Sequence, residues 1–156
     1  MEIYDSLLGA VCDEYDRVTL IKKSERGEVT LIRHRQANRY IFRHFSGSSE
    51  VYRKLLTVSC PNLPQIMEVG EKEGKTALLE EYVQGDTLGE ILQGGLLTAA
   101  QAKQITRQLC MALWVLHSLG VVHRDVKPDN VIIRGTEAVL IDFDASRIYK
   151  NETEKI

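Results

Sequence analysis

Four side chains able to do chemistry stand close together near the end of the sequence: Asp125, Lys127, Asn130 and Asp142. They lie in Val121-Val122-His123-Arg124-Asp125-Val126-Lys127-Pro128-Asp129-Asn130-Val131-Ile132-Ile133 and in Ile141-Asp142-Phe143-Asp144, two polar turns between short apolar runs. Phosphoryl transfer needs a carboxylate to orient the attacking hydroxyl, a cation on the phosphate, and an Asn plus a second carboxylate for magnesium. Asp125, Lys127 and Asn130 are the candidate catalytic residues, and Asn130 and Asp142 the candidate metal ligands. The competing explanation is a polar turn in which Asp and Asn side chains cap backbone groups. Agreement at several fixed spacings argues against it.

The pattern His-Arg-Asp, then Lys, then Asn, then Asp-Phe resembles the catalytic core of a protein kinase. Lys127-Pro128 after Asp125 is similar to the serine/threonine branch of that family. The resemblance runs from about Tyr15 to the end and implies an α+β, protein-kinase-like fold. Its small lobe, residues 1–83 with the hinge, is an antiparallel sheet plus one helix. Residues 84–156 make the upper part of a helical large lobe with the catalytic loop.

The elements that must position these residues are legible in outline. Residues 1–15 are compatible with a short helix. Val18–Lys23, Glu28–Arg35 and Arg39–Phe45 alternate β-branched or aromatic residues with polar ones and are expected as strands, with Ala37-Asn38 turning the second into the third. Ser46-Gly47-Ser48-Ser49 offers N-caps to a helix from Glu50, which Pro61 and Pro64 bound. Gln65–Val69 and Thr76–Tyr82 are expected as two more strands around the Glu71-Lys72-Glu73-Gly74 turn. Asp86 is positioned to cap a short helix through Leu92. Thr98-Ala99-Ala100-Gln101 is a capping box opening a long helix that ends at Gly120. Ile105, Leu109, Ala112, Leu113 and Leu116 share one face of it. Trp114 and His117 are expected as packing residues.

The family resemblance implies ATP as cofactor, with Mg2+. Ile21, Val29 and Ile41 would cover one face of the adenine and Ile132 the other, although each is equally well explained as core. The backbone of Glu81 and Val83 would hydrogen-bond the adenine edge. Gly27 alone survives of the family's glycine-rich loop, with Lys22 and Ser24 at the other two glycine positions; by itself one Gly before a strand is a turn signal. Arg43 stands where the family has a phosphate-binding lysine, and its planar fork does not reach the same point. Glu50 is the expected partner of Arg43, with Glu80 as a second partner. His123 and Phe143 resemble the family's internal stack, and Arg124 its activation-loop phosphate receptor.

Asp144 replaces the glycine of the family's Asp-Phe-Gly, and a residue with a Cβ tolerates unusual backbone angles less well. The sequence stops soon after Asp142, before the family's activation segment and substrate-binding helices, which implies one incomplete kinase domain over residues 1–156. Three readings follow: a serine/threonine protein kinase acting on protein hydroxyls, a nucleotide-binding pseudokinase or regulatory module, and a small-molecule kinase of the aminoglycoside phosphotransferase type. Lys127 discriminates against the last.

With 156 residues, 44% hydrophobic and 27% charged, the chain suits one globular domain. A net charge of −2 gives no reason to expect a nucleic-acid partner. Cys12, Cys60 and Cys110 lack metal-ligand spacing and are expected as reduced thiols. The acidic start Met1-Glu2-Ile3-Tyr4-Asp5 is unlike a secretory signal and no apolar run has membrane-span length, so a cytoplasmic location is expected. The protein substrate and the oligomeric state are not specified by these residues.

Overall fold

The computed structural model describes residues 2–34 and 38–149. The chain divides into two compact units, one of residues 1–58 with 65–82 and one of residues 59–64 with 83–156. Ala37, part of the expected turn, and Arg35, at the expected end of the second strand, lie outside the described residues.

The first unit is helix α1 (Ile3–Glu14), strands β1 (Tyr15–Lys23), β2 (Gly27–His34) and β3 (Arg39–Ser46), helix α2 (Glu50–Leu55), and strands β4 (Ile66–Lys72) and β5 (Lys75–Glu81). The strands form one sheet in the order β1-β2-β3-β5-β4, with antiparallel neighbours throughout. The β4–β5 hairpin closes on Glu73 and Gly74, both at positive φ (52° and 77°), the backbone of a tight two-residue turn.

Residues opposite one another in an antiparallel ladder share a face, so the register assigns the sheet's two sides. Ile32, Phe42, Ala77 and Leu79 form a buried cluster with Tyr4 and Leu7 of α1. Gly70 allows that helix to approach, because a Cβ there would lie 2.4 Å from the Tyr4 nitrogen. Lys72 Nζ meets Asp5 at 2.8 Å and the Tyr4 hydroxyl meets His44 Nε2 at 2.7 Å, adding polar ties to the apolar seat. The opposite face carries the rows Val29–Arg43–Leu78–Val69 and Leu31–Ile41–Glu80–Ile66. Phe45, on that same face, packs on Tyr52 of α2, ring centroids 5.9 Å apart. The expected small lobe with a single helix thus has a second one, α1, on its other side.

Helix α2 is fixed by side chains from outside it. Ser49, wholly buried, donates its hydroxyl to Glu71 Oε2 at 2.6 Å and accepts from Arg53 Nε at 2.6 Å. Thr76 Oγ1 donates to the Gly47 carbonyl at 2.8 Å, so the loop into α2 is pinned to the β4–β5 hairpin.

The second unit contains β6 (Asp86–Thr87), α3 (Leu88–Gln93), α4 (Ala99–Ser118), β7 (Val121–Val122), β8 (Val131–Arg134), β9 (Glu137–Leu140) and β10 (Arg147–Ile148). Thr98 and Gln101 form the expected capping box at the start of α4. For α3 the cap is Thr87, paired with Glu90 in a second capping box, and not Asp86. Thr87-Leu88-Gly89-Glu90 carries the Thr-x-x-Glu signature of such a box, and Asp86 is instead a strand residue opposite Ile133. Ala112 and Leu116 are buried as the helical period requires, but Trp114 is 68% exposed, contrary to a packing role within this unit. Buried Asn62 ties residues 59–64 to this unit by donating to Gln108 Oε1 and the Ala138 carbonyl.

Candidate active site

In the second unit a short β7 delivers the chain into the His123 turn, and a 3-10 turn at Pro128–Asn130 delivers it into β8. Pro128 suits this place because its fixed φ pre-organises the start of the turn. Asn130 is buried, and its Nδ2 donates to the Asp125 carbonyl at 2.9 Å and to Asp125 Oδ2 at 3.0 Å. Lys127 Nζ lies 3.7 Å from the same Oδ2. The three residues predicted to be catalytic are therefore gathered on one loop, with one carboxylate oxygen of Asp125 tied to both an amide and a cation.

His123 holds that loop from below. It is 1% exposed, its Nδ1 accepts from the Asp125 backbone N–H at 3.1 Å, and its Nε2 lies 2.9 Å from the Ile141 carbonyl. An acceptor at Nδ1 and a carbonyl at Nε2 define the Nε2–H tautomer. The imidazole meets the Phe143 ring edge-on, centroids 5.5 Å apart, which is the expected internal stack. The Ile141 N–H donates to the Asn130 carbonyl at 2.9 Å, joining the Asp142 turn directly to the loop that carries Asp125.

Arg124 (φ 71°) and Asp142 (φ 64°) occupy the left-handed region, at an expected cost of about 1–3 kcal/mol each. Such outliers gather where a side chain must be aimed, and Asp tolerates this backbone better than most residues. Asp142 Oδ1 accepts the Asp144 N–H at 3.1 Å, an Asx-type turn that holds the carboxylate in place. Asp144 itself is not among the described residues at positive φ, so this conformation makes no demand for glycine at that position. The unusual angle falls two residues earlier.

In the first unit Arg43 and Glu80 form the expected ion pair. Arg43 Nε donates to Glu80 Oε2 at 2.9 Å and Nη2 to Glu80 Oε1 at 3.2 Å, with both side chains over nine-tenths buried. Glu50 lies exposed in the first turn of α2. The carboxylate that Arg43 meets is thus Glu80 on β5 and not Glu50, because Arg43 and Glu80 share a sheet face on neighbouring strands.

Val29 and Ile41 lie on this same face, Val29 directly opposite Arg43. Ile21 falls at an irregularity in the β1–β2 ladder, between Leu20 and Lys22, and is half exposed. The Glu81 N–H is committed to the Gln65 carbonyl at 2.8 Å, which leaves the Glu81 carbonyl as the backbone group for an adenine edge. In the second unit Val83 is buried and Ile132 pairs with Val139 on β8 and β9.

Gly27 has a steric reason of its own: a Cβ there would sit 2.1 Å from the His44 carbonyl oxygen and 2.5 Å from the Phe45 Cα. The loop before it is a closed turn, with the Ser24 N–H on the Gly27 carbonyl at 2.9 Å and the Gly27 N–H on the Ser24 carbonyl at 3.2 Å. Two amides that a phosphate-binding loop would present are spent within the turn. The sequence signals for this were Lys22 and Ser24 in place of glycine. What sequence reasoning missed was the Ser49–Glu71 contact, whose partners are too far apart in the chain to signal one another.

Comparison with known proteins places these features in a family. The model of the protein kinase domain matches residues 17–155, leaving all of α1 outside it. The serine/threonine-protein kinase pkn2 of Myxococcus xanthus is 35% identical over 100 residues, which is 62% of this chain and 12% of that protein. Serine/threonine-protein kinase D of Synechocystis sp. is 38% identical over 85 residues, 53% of this chain and 16% of that one. The crystal structure of Rad53 1-466 in complex with AMP-PNP superposes with a TM-score of 0.72 at 21% identity, covering 85% of this chain and 39% of that one. This chain therefore spans less than half of each of these relatives.

Proposed function

Since the chain belongs to the protein kinase family, we propose that it binds ATP with Mg2+ and carries the catalytic loop of a serine/threonine protein kinase that phosphorylates protein hydroxyls. The observation that carries this reading is the grip of the Asn130 amide on Asp125 with Lys127 beside it.

The donor set fits a hard divalent cation, which takes oxygen ligands. The amide nitrogen of Asn130 is committed to Asp125, so its Oδ1 is the atom left for a metal; Asp142 keeps its carboxylate in a fixed turn. Magnesium would supply neutralisation of charge on the nucleotide phosphates. In this reading Asp125 orients the substrate hydroxyl with the oxygen that Asn130 does not hold, and Lys127 contributes positive charge for the transferred phosphoryl group. Val29, Ile41, Ile21 and Ile132 contact the adenine, the Glu81 carbonyl and Val83 N–H bond its edge, Gly27 belongs to the loop over the phosphates, and Arg43 meets the phosphates.

A second reading, a regulatory module that binds nucleotide without transferring phosphate, is favoured by the closed Ser24–Gly27 turn. Titration calorimetry with ATP, with and without Mg2+, tests the shared premise. Binding at tens of micromolar, about −6 kcal/mol, is expected, with the Mg2+-dependent part lost in Asp142→Asn. No heat at millimolar nucleotide would overturn both readings. Transfer to a peptide that Asp125→Asn abolishes would decide for the kinase.

A further inference from the structure

The fork of Arg43 on Glu80 has a consequence for how a phosphate-binding cation is held in this chain. Arg43 is a long side chain, and ordering it when a ligand arrives would consume binding energy. Here the ordering is already done: two parallel hydrogen bonds of 2.9 and 3.2 Å fix the guanidinium plane on a carboxylate. Both residues belong to the central part of the sheet, Arg43 on β3 and Glu80 on the neighbouring β5. Glu50, the only acid within α2, is exposed. The acid of α2 is thus not the carboxylate of this pair.

We infer that Glu80 is the positioning residue for Arg43, so that the phosphate contact is set by the sheet itself and is independent of where α2 lies. This rests on the proposed binding of ATP. It separates the chain from a design in which moving a helix acid towards or away from the cation governs nucleotide binding. A carboxylate anchored on a central strand does not move in that way.

Affinities for ATP and for adenosine, measured on the full chain by calorimetry, distinguish positioning from mere stability. In Glu80→Gln the carboxylate fork is lost while the size of the side chain is kept. ATP affinity should then fall about tenfold while adenosine affinity stays within about twofold. In Glu50→Gln the ratio of the two should match that of the wild type.

Equal weakening of ATP and adenosine in Glu80→Gln would show a structural role only and overturn the inference. Tighter ATP binding would overturn it too, since it would show Glu80 competing with phosphate for Arg43. Selective loss of ATP affinity in Glu50→Gln would return the role to α2. If the wild type binds adenosine but shows no preference for ATP, the inference fails while nucleotide binding stands; if it binds neither, the proposed function fails first.

If Glu80→Gln does not fold, Arg43→Met/Glu80→Leu removes both charges together. It should bind adenosine normally and lose the preference for ATP, and an unchanged preference would overturn the inference.

Discussion

The Nδ2 of Asn130 bonds both the backbone carbonyl and the side-chain Oδ2 of Asp125, at 2.9 and 3.0 Å, so one amide sets the conformation and the aim of the carboxylate. Replacing that amide by a carboxylate places two acids in contact, which disfavours ionisation of both. Asn130→Asp should therefore destabilise the protein most at alkaline pH, where both groups are charged. The loss should shrink as the pH falls and one of them takes up a proton. Asn130→Ala should cost about 1–3 kcal/mol through unmet hydrogen bonds, with little pH dependence. Urea denaturation near pH 8 and pH 5 separates the two; equal losses for Asn130→Asp at both would contradict the contact.

Breaking the buried Arg43–Glu80 pair from one side should be costly. Arg43→Ala leaves the Glu80 carboxylate buried without its fork, and a loss of about 3–5 kcal/mol is expected. Arg43→Met/Glu80→Leu removes both charges at similar volume and should recover most of that loss, because the desolvation of two ions is removed as well. A double-mutant cycle closed with the single variants Arg43→Met and Glu80→Leu, followed in denaturant, measures the coupling. Additive losses would mean that the pair is not formed in solution.

Gly27 and Gly9 make a matched test of strand crowding. A Cβ on Gly27 would overlap the β3 backbone, so Gly27→Ala must push β2 from β3 and should cost about 1–3 kcal/mol. Gly9 lies inside α1 with nothing within 4 Å of the same construction. Gly9→Ala should stabilise by about 0.5–1 kcal/mol through helix propensity. Thermal denaturation of the two variants should move in opposite directions.

The strands and the loop of Asp125, Lys127 and Asn130 were legible in the sequence for different reasons. Strand residues alternate in chemistry, and Asp125, Lys127 and Asn130 lie within one turn, so local spacing brings them together. The capping boxes at Thr98 and Thr87 are equally local, although Asp86 beside Thr87 offers a competing cap in the sequence. The partner of Arg43 was harder, because Glu50 is near in sequence while Glu80 is near in space, a difference that only the β3–β5 register decides. The closed Ser24–Gly27 turn and the buried Ser49–Glu71 contact depend on backbone geometry and a long-range pairing that residue spacing does not encode.

Helix α1 should respond to pH through His44. Its Nε2 meets the Tyr4 hydroxyl at 2.7 Å, and burial, with nearby Lys75 adding to it and Glu28 opposing, holds its pKa below the ordinary 6.5. The unfolded chain then binds a proton more readily than the folded one. The stability from the neutral imidazole is present above 6.5 and is lost as the pH falls from there through the lowered folded value. The Lys72–Asp5 pair acts at the other end: Asp5 raises the pKa of Lys72, so its contribution persists at neutral pH and is lost only as the pH rises past the ordinary 10.5 through that raised value. Wild-type protein should therefore melt at a lower temperature near pH 5 than near pH 7.5. The difference should narrow in His44→Phe, which keeps an aromatic ring beside Tyr4 and removes the titration. Leu7→Ala, by contrast, removes a side chain only 2% exposed and should cost about 2–5 kcal/mol at both pH values. An unaltered pH difference in His44→Phe would assign the acid sensitivity to groups other than the histidine under α1.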